Sequence, residues 1–362
     1  LSSHAPSSHA PSPCAPSPHA HPLTRYGWDA GLAAEFAPYA AQGLLPGRVV
    51  RVDRGRCDLV TQDGTVQADT AFVTPRDPMR IVCTGDWAAV DPHGDPRFVR
   101  TLLQRRTAIV RSTSSKRSEA QVLAANVDHI VICVTLAVVP DLERVERLLA
   151  LALAGSGRSR PAEPLILLTK ADLAIDADQI REDVESVAPG VEVLVVSAPT
   201  GLGMDALAAR LTGTGVLVGQ SGAGKSTIAN TLLGSPVMDV RRTRVDGKGR
   251  HTSTSRDLHP LPGGGVLIDT PGLRGVGLYD AADGVRQVFA EIEALAEGCR
   301  FADCRHLHEP DCAVQQALAE GRLTARRLES HRKLVRENAW IASRSDARMR
   351  TERLKRWKAG RH

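Results

Sequence analysis

Three rhythms of apolar and polar positions divide the chain. From Leu44 to about Arg106 the apolar residues come in short runs: Gly47 to Val52, Arg56 to Val60, Val66 to Ala68, Arg80 to Cys83 and Gly85 to Val90. Asp63-Gly64 between two of them is a hairpin signal. Short strands at this spacing predict a small β-barrel of the oligonucleotide-binding type. From residue 107 to about 290 the period alternates instead. Val127 to Val134, Leu165 to Leu168, Val193 to Val196, Val216 to Val218 and Val266 to Ile268 read as buried strands. Between them, Asp141 to Ala154 (capped by Asp141), Ala177 to Val187, Met204 to Leu211 and Ile228 to Leu233 read as helices. Such alternation predicts a mostly parallel sheet covered on both faces. Beyond it, Ala313 to Glu320 and Ala325 to Ile341 have helical spacing, and the chain closes on a basic stretch.

The ends differ from the middle. Residues 1 to 22 are Ser, His, Ala and Pro almost throughout, and such a segment buries too little apolar surface to offset chain entropy. Its histidines (His4, His9, His19, His21) have no spacing that fixes a metal geometry, and neither does His93. The expected division is therefore a disordered arm over 1–43, a barrel over 44–106, an α/β domain over 107–290 and a helical segment with a basic tail over 291–362.

Charge changes the picture at one end only. The net charge is +5, yet Arg322 to His362 holds 14 Lys/Arg against 4 Asp/Glu, a surplus of +10 that leaves −5 for the rest. A basic tail on a mildly acidic body suits a polyanionic partner such as nucleic acid. Apolar residues make up 42% of the chain, and no run approaches the roughly 20 residues of a membrane helix. No membrane association and a cytoplasmic location are expected, since the start carries no apolar signal core.

The most specific motif is Gly219-Gln220-Ser221-Gly222-Ala223-Gly224-Lys225-Ser226-Thr227, set between a strand and a helix. Glycines there let backbone N–H groups turn around a polyphosphate, Lys225 reaches the outer phosphates, and Ser226 can ligate Mg²⁺. Thr169-Lys170-Ala171-Asp172 follows the strand Leu165 to Leu168, where an Asp carboxylate can accept from guanine N1–H and the exocyclic amine. Ser197-Ala198, one strand later, is its partner, and the pair favours GTP over ATP. Thr169 stands where guanine-binding proteins usually carry Asn, so an amide is lost. Asp269-Thr270-Pro271-Gly272 closes the strand Val266 to Ile268. Asp269 can hold Mg²⁺ and the Gly272 amide can reach a γ-phosphate. A polar loop, Arg241 to Arg256, lies between the phosphate loop and that turn, and a loop of this length is usually functional or disordered. Because the guanine elements precede the phosphate loop, the order is a circular permutation, tolerable where domain termini lie close together.

Of seven cysteines, Cys14, Cys57, Cys83 and Cys133 are scattered, whereas Cys299, Cys304 and Cys312 cluster with His306. Three thiolates and one imidazole suit a closed tetrahedral structural Zn²⁺ site, with His308 as competitor for the imidazole position.

These motifs, with Gly249-Arg-His-Thr-Ser-Thr254, resemble those of the ribosome small-subunit-dependent GTPase A family, circularly permuted GTPases of bacterial ribosome maturation. The resemblance covers about residues 44 to 320. It implies an oligonucleotide-binding barrel, a permuted P-loop GTPase domain and a zinc-bearing helical domain, acting on GTP late in assembly of the small subunit through its rRNA. On that reading Ser226 and Asp269 position Mg²⁺ and Thr252 or Thr254 completes its shell. Leu273 follows Gly272 where many GTPases place a water-orienting Gln, so hydrolysis is expected to be slow without the subunit. His251 is a candidate for positioning water, or equally an RNA-contacting residue. A monomer is expected. The alternatives are an RNA-binding P-loop ATPase, or an RNA-binding module whose nucleotide site serves structure only.

Overall fold

The computed structural model describes residues 21–73, 78–112, 120–154, 161–174, 176–237, 256–269 and 277–359. Residues 1–20, residues 238–255 with His251, Thr252 and Thr254, and residues 270–276 with Thr270, Gly272 and Leu273 lie outside them.

Residues 21–43 correct the expectation of a disordered arm. Asp29 caps helix α1 (Ala30–Ala40) by accepting from the Leu32 amide at 2.8 Å. Arg106 donates to the same carboxylate at 2.8 Å and holds its pKa down to about 2. Leu23, Trp28, Leu32 and Phe36 cover Trp87, Ala89 and Leu103 of the barrel wall. The stripe Trp28, Leu32, Phe36 has helical spacing, and the Ser/Pro-rich tract before it obscured that signal.

The barrel closes in the order β1-β2-β3-β5-β4, from β1 (Leu45–Asp53), β2 (Arg56–Thr61), β3 (Gly64–Asp69), β4 (Trp87–Val90) and β5 (Arg97–Leu102). Val49, Leu59, Ala68, Val90 and Val99 fill it. The hairpin at Asp63-Gly64 forms as expected, with Thr61 opposite Gly64. Arg80 to Cys83 is not a strand, and β5 supplies the fifth position. The reason is local competition from a side chain: the buried Asp86 carboxylate accepts from the Cys83 amide at 2.8 Å, and the Asp86 amide returns a bond to the Cys83 carbonyl at 3.1 Å. Arg105 donates to both Asp86 oxygens at 2.6 and 2.7 Å and fixes the turn.

A short antiparallel pair, β6 (Ala108–Ser112) and β7 (Ala120–Ala125), leads from the barrel into the central sheet. That sheet contains β8 (His129–Thr135), β9 (Glu163–Thr169), β10 (Glu192–Val195), β11 (Thr214–Gly219), β12 (Leu258–Pro260) and β13 (Val266–Ile268), in the order β10-β9-β8-β11-β13-β12. Every described pair is parallel except β12 with β13. The helices α2 (Leu142–Ala154), α3 (Ala177–Val187), α4 (Met204–Arg210) and α5 (Lys225–Leu233) follow β8, β9, β10 and β11. Asp141 caps α2 as expected, accepting from the Arg144 amide at 3.2 Å. With strands this uniformly apolar, helices must cover both faces.

After β14 (Gly277–Leu278), which pairs with β6, come α6 (Ala282–Val288), α7 (Ala290–Ala296), α8 (Ala313–Ala319) and α9 (Ala325–Ala359). Helix α6 lies against α2 so closely that a Cβ on Gly284 would sit 2.0 Å from the Ala150 carbonyl oxygen. Phe289, Ile292, Val314, Leu328 and Leu334 belong to the same apolar cluster as Leu148, Leu149 and Ile166 of the central domain. The core thus runs on through residue 291.

Candidate functional site

The phosphate-loop motif sits at the end of β11, which is buried along its whole length. Gly219 has φ 141°, and a Cβ there would lie 2.4 Å from the Cys133 carbonyl oxygen, so the turn toward the loop admits only glycine. Gly222 and Gly224 take φ 81° and 80°, and Gly224 leads into α5. The Lys225 ammonium donates to the carbonyls of Gly219 at 2.9 Å and Gln220 at 2.7 Å, bridging the two sides of the loop.

The guanine-type motif lies alongside. Strand β9 neighbours β8, and β8 neighbours β11, so the turn after Thr169 opens on the same sheet edge as the loop after Gly219. The Thr169 hydroxyl donates to the Ala223 carbonyl at 2.8 Å, joining the two motifs across 54 residues of chain. Lys170 is left-handed (φ 60°, ψ 44°), and Ala171–Leu173 forms a 3-10 turn whose Ala171 amide donates to the Val196 carbonyl at 3.1 Å. The fully buried Ser197 then donates its hydroxyl to Asp172 Oδ1 at 2.6 Å. Thr169, Asp172, Ser197 and the phosphate loop are thereby brought together on one rim.

Asp269 follows β13, its amide bonded to the Asp257 carbonyl at 2.9 Å. Burial raises its pKa and Asp257 adds to the rise, while the charges of His259 and Lys225 oppose it.

Several residues around this rim carry no local sequence signal. Arg144, in the first turn of α2, donates to the Gln220 side chain at 2.9 Å. The barrel's Thr84 donates its hydroxyl to the Arg256 carbonyl at 2.7 Å, and Arg51 Nε lies 3.9 Å from Asp257. In the residues that follow 270–276 in the chain, Glu337 of α9 accepts from the Leu278 amide at 3.4 Å, and Asn338 from the Ala281 amide at 3.0 Å.

The Cys/His cluster is a second centre. The ligand atoms of Cys299, Cys304, His306 and Cys312 all lie within 4.8 Å of one another, and His308 is not among them. Cys299 Sγ is 3.8 Å from Cys312 Sγ, and His306 Nδ1 is 3.6 and 3.5 Å from those sulfurs. With Zn–S near 2.3 Å and Zn–N near 2.0–2.1 Å, a tetrahedron has edges of about 3.8 Å and about 3.5 Å. The donor set therefore fits a closed site for a metal ion of zinc's size. The His306 carbonyl accepts from Gln315 and Arg332, which fixes the loop to α8 and α9.

No described helix is long and apolar enough to cross a membrane. The RsgA GTPase family pattern matches residues 102–279. A protein of Streptomyces avermitilis named small ribosomal subunit biogenesis GTPase RsgA is 64% identical over 94% of this chain and 92% of its own length. The protein of that name from Syntrophotalea carbinolica is 39% identical over 89% and 90%. Among solved structures, YjeQ from Thermotoga maritima superposes with a TM-score of 0.57 at 22% identity, covering 80% of this chain and 97% of its own. YloQ, a circularly permuted GTPase, gives 0.54 at 21%, covering 84% and 96%. The closed barrel and the order of the central domain's elements agree with that fold. With near-complete coverage at 64% identity, the chain belongs to the RsgA GTPase family.

Proposed function

We propose that this protein hydrolyses GTP to GDP and phosphate when stimulated by the small ribosomal subunit. It acts in the cytoplasm as a monomer, in late maturation of that subunit, by binding its rRNA. The observation that carries the reading is the Thr169–Ala223 bond between the phosphate loop and a turn whose Asp172 carboxylate is held by Ser197. A polyphosphate cradle and a carboxylate suited to guanine thus share one rim. The relatives named for small-subunit biogenesis support the biological setting, and the basic stretch from Arg322 onward suits an RNA partner.

In this reading Lys225 and the loop amides from Gly219 to Thr227 hold the phosphates, while residues Thr169 to Asp172 with Ser197 and Ala198 surround the base. Ser226 and Asp269, with Thr252 or Thr254, hold Mg²⁺, which when bound neutralises phosphate charge. The Gly272 amide meets the γ-phosphate. Leu273 has no group to orient water, so turnover without the subunit is slow, and His251 positions the water. Cys299, Cys304, His306 and Cys312 hold one structural Zn²⁺.

The barrel of 44–106, the permuted domain of 107–290 and the segment 291–362 are the working parts. Thr84 and Arg51 of the barrel contact Arg256 and Asp257, which follow the Gly249-to-Thr254 motif, and Glu337 and Asn338 of α9 contact Leu278 and Ala281, which follow residues 270–276. Ordering of both segments by GTP would therefore bear on both flanking domains, and hydrolysis would release them. Base choice is tested by competition: excess ATP is expected to leave labelled GTP bound, and displacement at equal concentration would favour an ATPase. Loss of subunit-stimulated turnover in His251→Ala is expected, and unchanged turnover would remove that role.

A further inference from the structure

Resting on the reading of this rim as a guanine site, we propose that it recognises guanine without a hydrogen bond to the base N7, and that Thr169 is the residue that sets this. N7 is an acceptor and needs a donor. A threonine hydroxyl has one proton, whereas the Asn amide more usual at this position has two. Thr169 is only 1% exposed, and its Oγ1 lies 2.8 Å from the Ala223 carbonyl oxygen and 3.4 Å from that of Val134. Both neighbours are acceptors, so the single proton goes to the phosphate loop and none remains for the base. An Asn could tie the loop with one N–H and face N7 with the other.

Three backbone donors of the same turns are engaged as well. The Ala171 amide donates to Val196, the Leu173 amide to Lys170 and the Ser197 amide to Leu202. The Lys170 stem lies over the loop, its Cε 3.9 Å from where a Cβ on Gly224 would be, a placement suited to covering a ring face. Recognition is thereby concentrated on the edge that carries N1–H and the exocyclic amine, where Asp172 is oriented by the 2.6 Å bond from Ser197. A purine altered at N7 passes this site, and one altered at C2 does not.

The test is equilibrium binding of the full chain to GDP, 7-deaza-GDP, inosine diphosphate and ADP. 7-Deaza-GDP, which replaces N7 by C–H, is expected to bind within about twofold of GDP, because no hydrogen bond is lost. Inosine diphosphate, which lacks the amine, is expected to bind about tenfold or more weakly, because Asp172 loses a donor. A roughly tenfold loss for 7-deaza-GDP, with GDP still preferred over ADP, would overturn the proposal and leave the guanine site standing. Inosine diphosphate binding as tightly as GDP would also overturn it. GDP binding no better than ADP would instead sink the guanine site itself, and the proposal with it. Thr169→Asn is expected to acquire a several-fold discrimination against 7-deaza-GDP. Should that buried substitution fail to fold, the unmodified protein alone decides.

Discussion

Glu146 shows how little of this molecule's energetics follows from residue type. It lies on the second turn of α2, fully buried, and accepts from Arg326 at 2.9 Å, from Arg327 at 2.7 Å and from the Ser330 hydroxyl. Burial pulls the Arg327 guanidinium down, but Glu291 and Glu146 outweigh it and leave its pKa above the ordinary value. Removing Glu146 takes the buried carboxylate from Arg327, which keeps only the half-exposed Glu291, at a cost of up to about 3–5 kcal/mol. Glu146→Ala is therefore expected to lower unfolding stability by about that much in urea titration. Glu143→Ala, three residues away, breaks only the exposed pair with Lys333 and is expected to cost less than about 1 kcal/mol. Equal losses would contradict the weight placed on burial. None of this was legible beforehand, because a Glu in an amphipathic helix reads as surface until the partner 180 residues on is placed against it. Gly219, Lys225 and Asp172 were legible because their chemistry is carried by immediate neighbours.

The same contrast holds for elements. Strands β8, β9 and β11 announce themselves by unbroken apolar runs, and the phosphate loop falls where strand gives way to helix. Strands β6 and β7 do not: Ala120 to Ala125 is Ala-Gln-Val-Leu-Ala-Ala, composed mostly of good helix formers, and becomes a strand only through pairing with β6. Helix α9 runs past Ile341 to Ala359 because the added residues include no Gly or Pro and are mostly Ala, Arg and Lys. The Cys/His loop was legible in its ligands, whereas the choice of His306 over His308 needed the backbone, since His306 is left-handed at φ 59°. Its folding should depend on metal. Chelation, or Cys304→Ser, is expected to release about one Zn²⁺ per chain and to raise proteolysis within 299–312 while the β8–β11 core stays protected. Unchanged protection of the loop after metal removal would show that it is held by Gln315 and Arg332 alone.

At the scale of the whole molecule, the residues next to both proposed sensing segments meet the flanking domains, Arg256 and Asp257 the barrel, and Leu278 and Ala281 helix α9. The barrel is pinned to the central domain by Arg48, 2% exposed, which donates to the Asn126 carbonyl at 3.2 Å and the Thr214 hydroxyl at 3.1 Å. Burial pushes its pKa down to about 10. Next to that rigid pin, the Thr84 bond spans 172 residues to Arg256. Thr84→Val is expected to leave GDP affinity within about twofold and to shrink the difference in small-subunit affinity between the GDP form and the form with a non-hydrolysable GTP analogue. An undiminished difference in Thr84→Val would remove the barrel from the coupling. The central claim, a nucleotide switch completed by its RNA-rich partner, is tested most directly by GTP hydrolysis with and without small ribosomal subunits. The account predicts slow turnover alone, because Leu273 cannot orient water, and a marked acceleration on adding the subunits. A rate that does not change when they are added would contradict it.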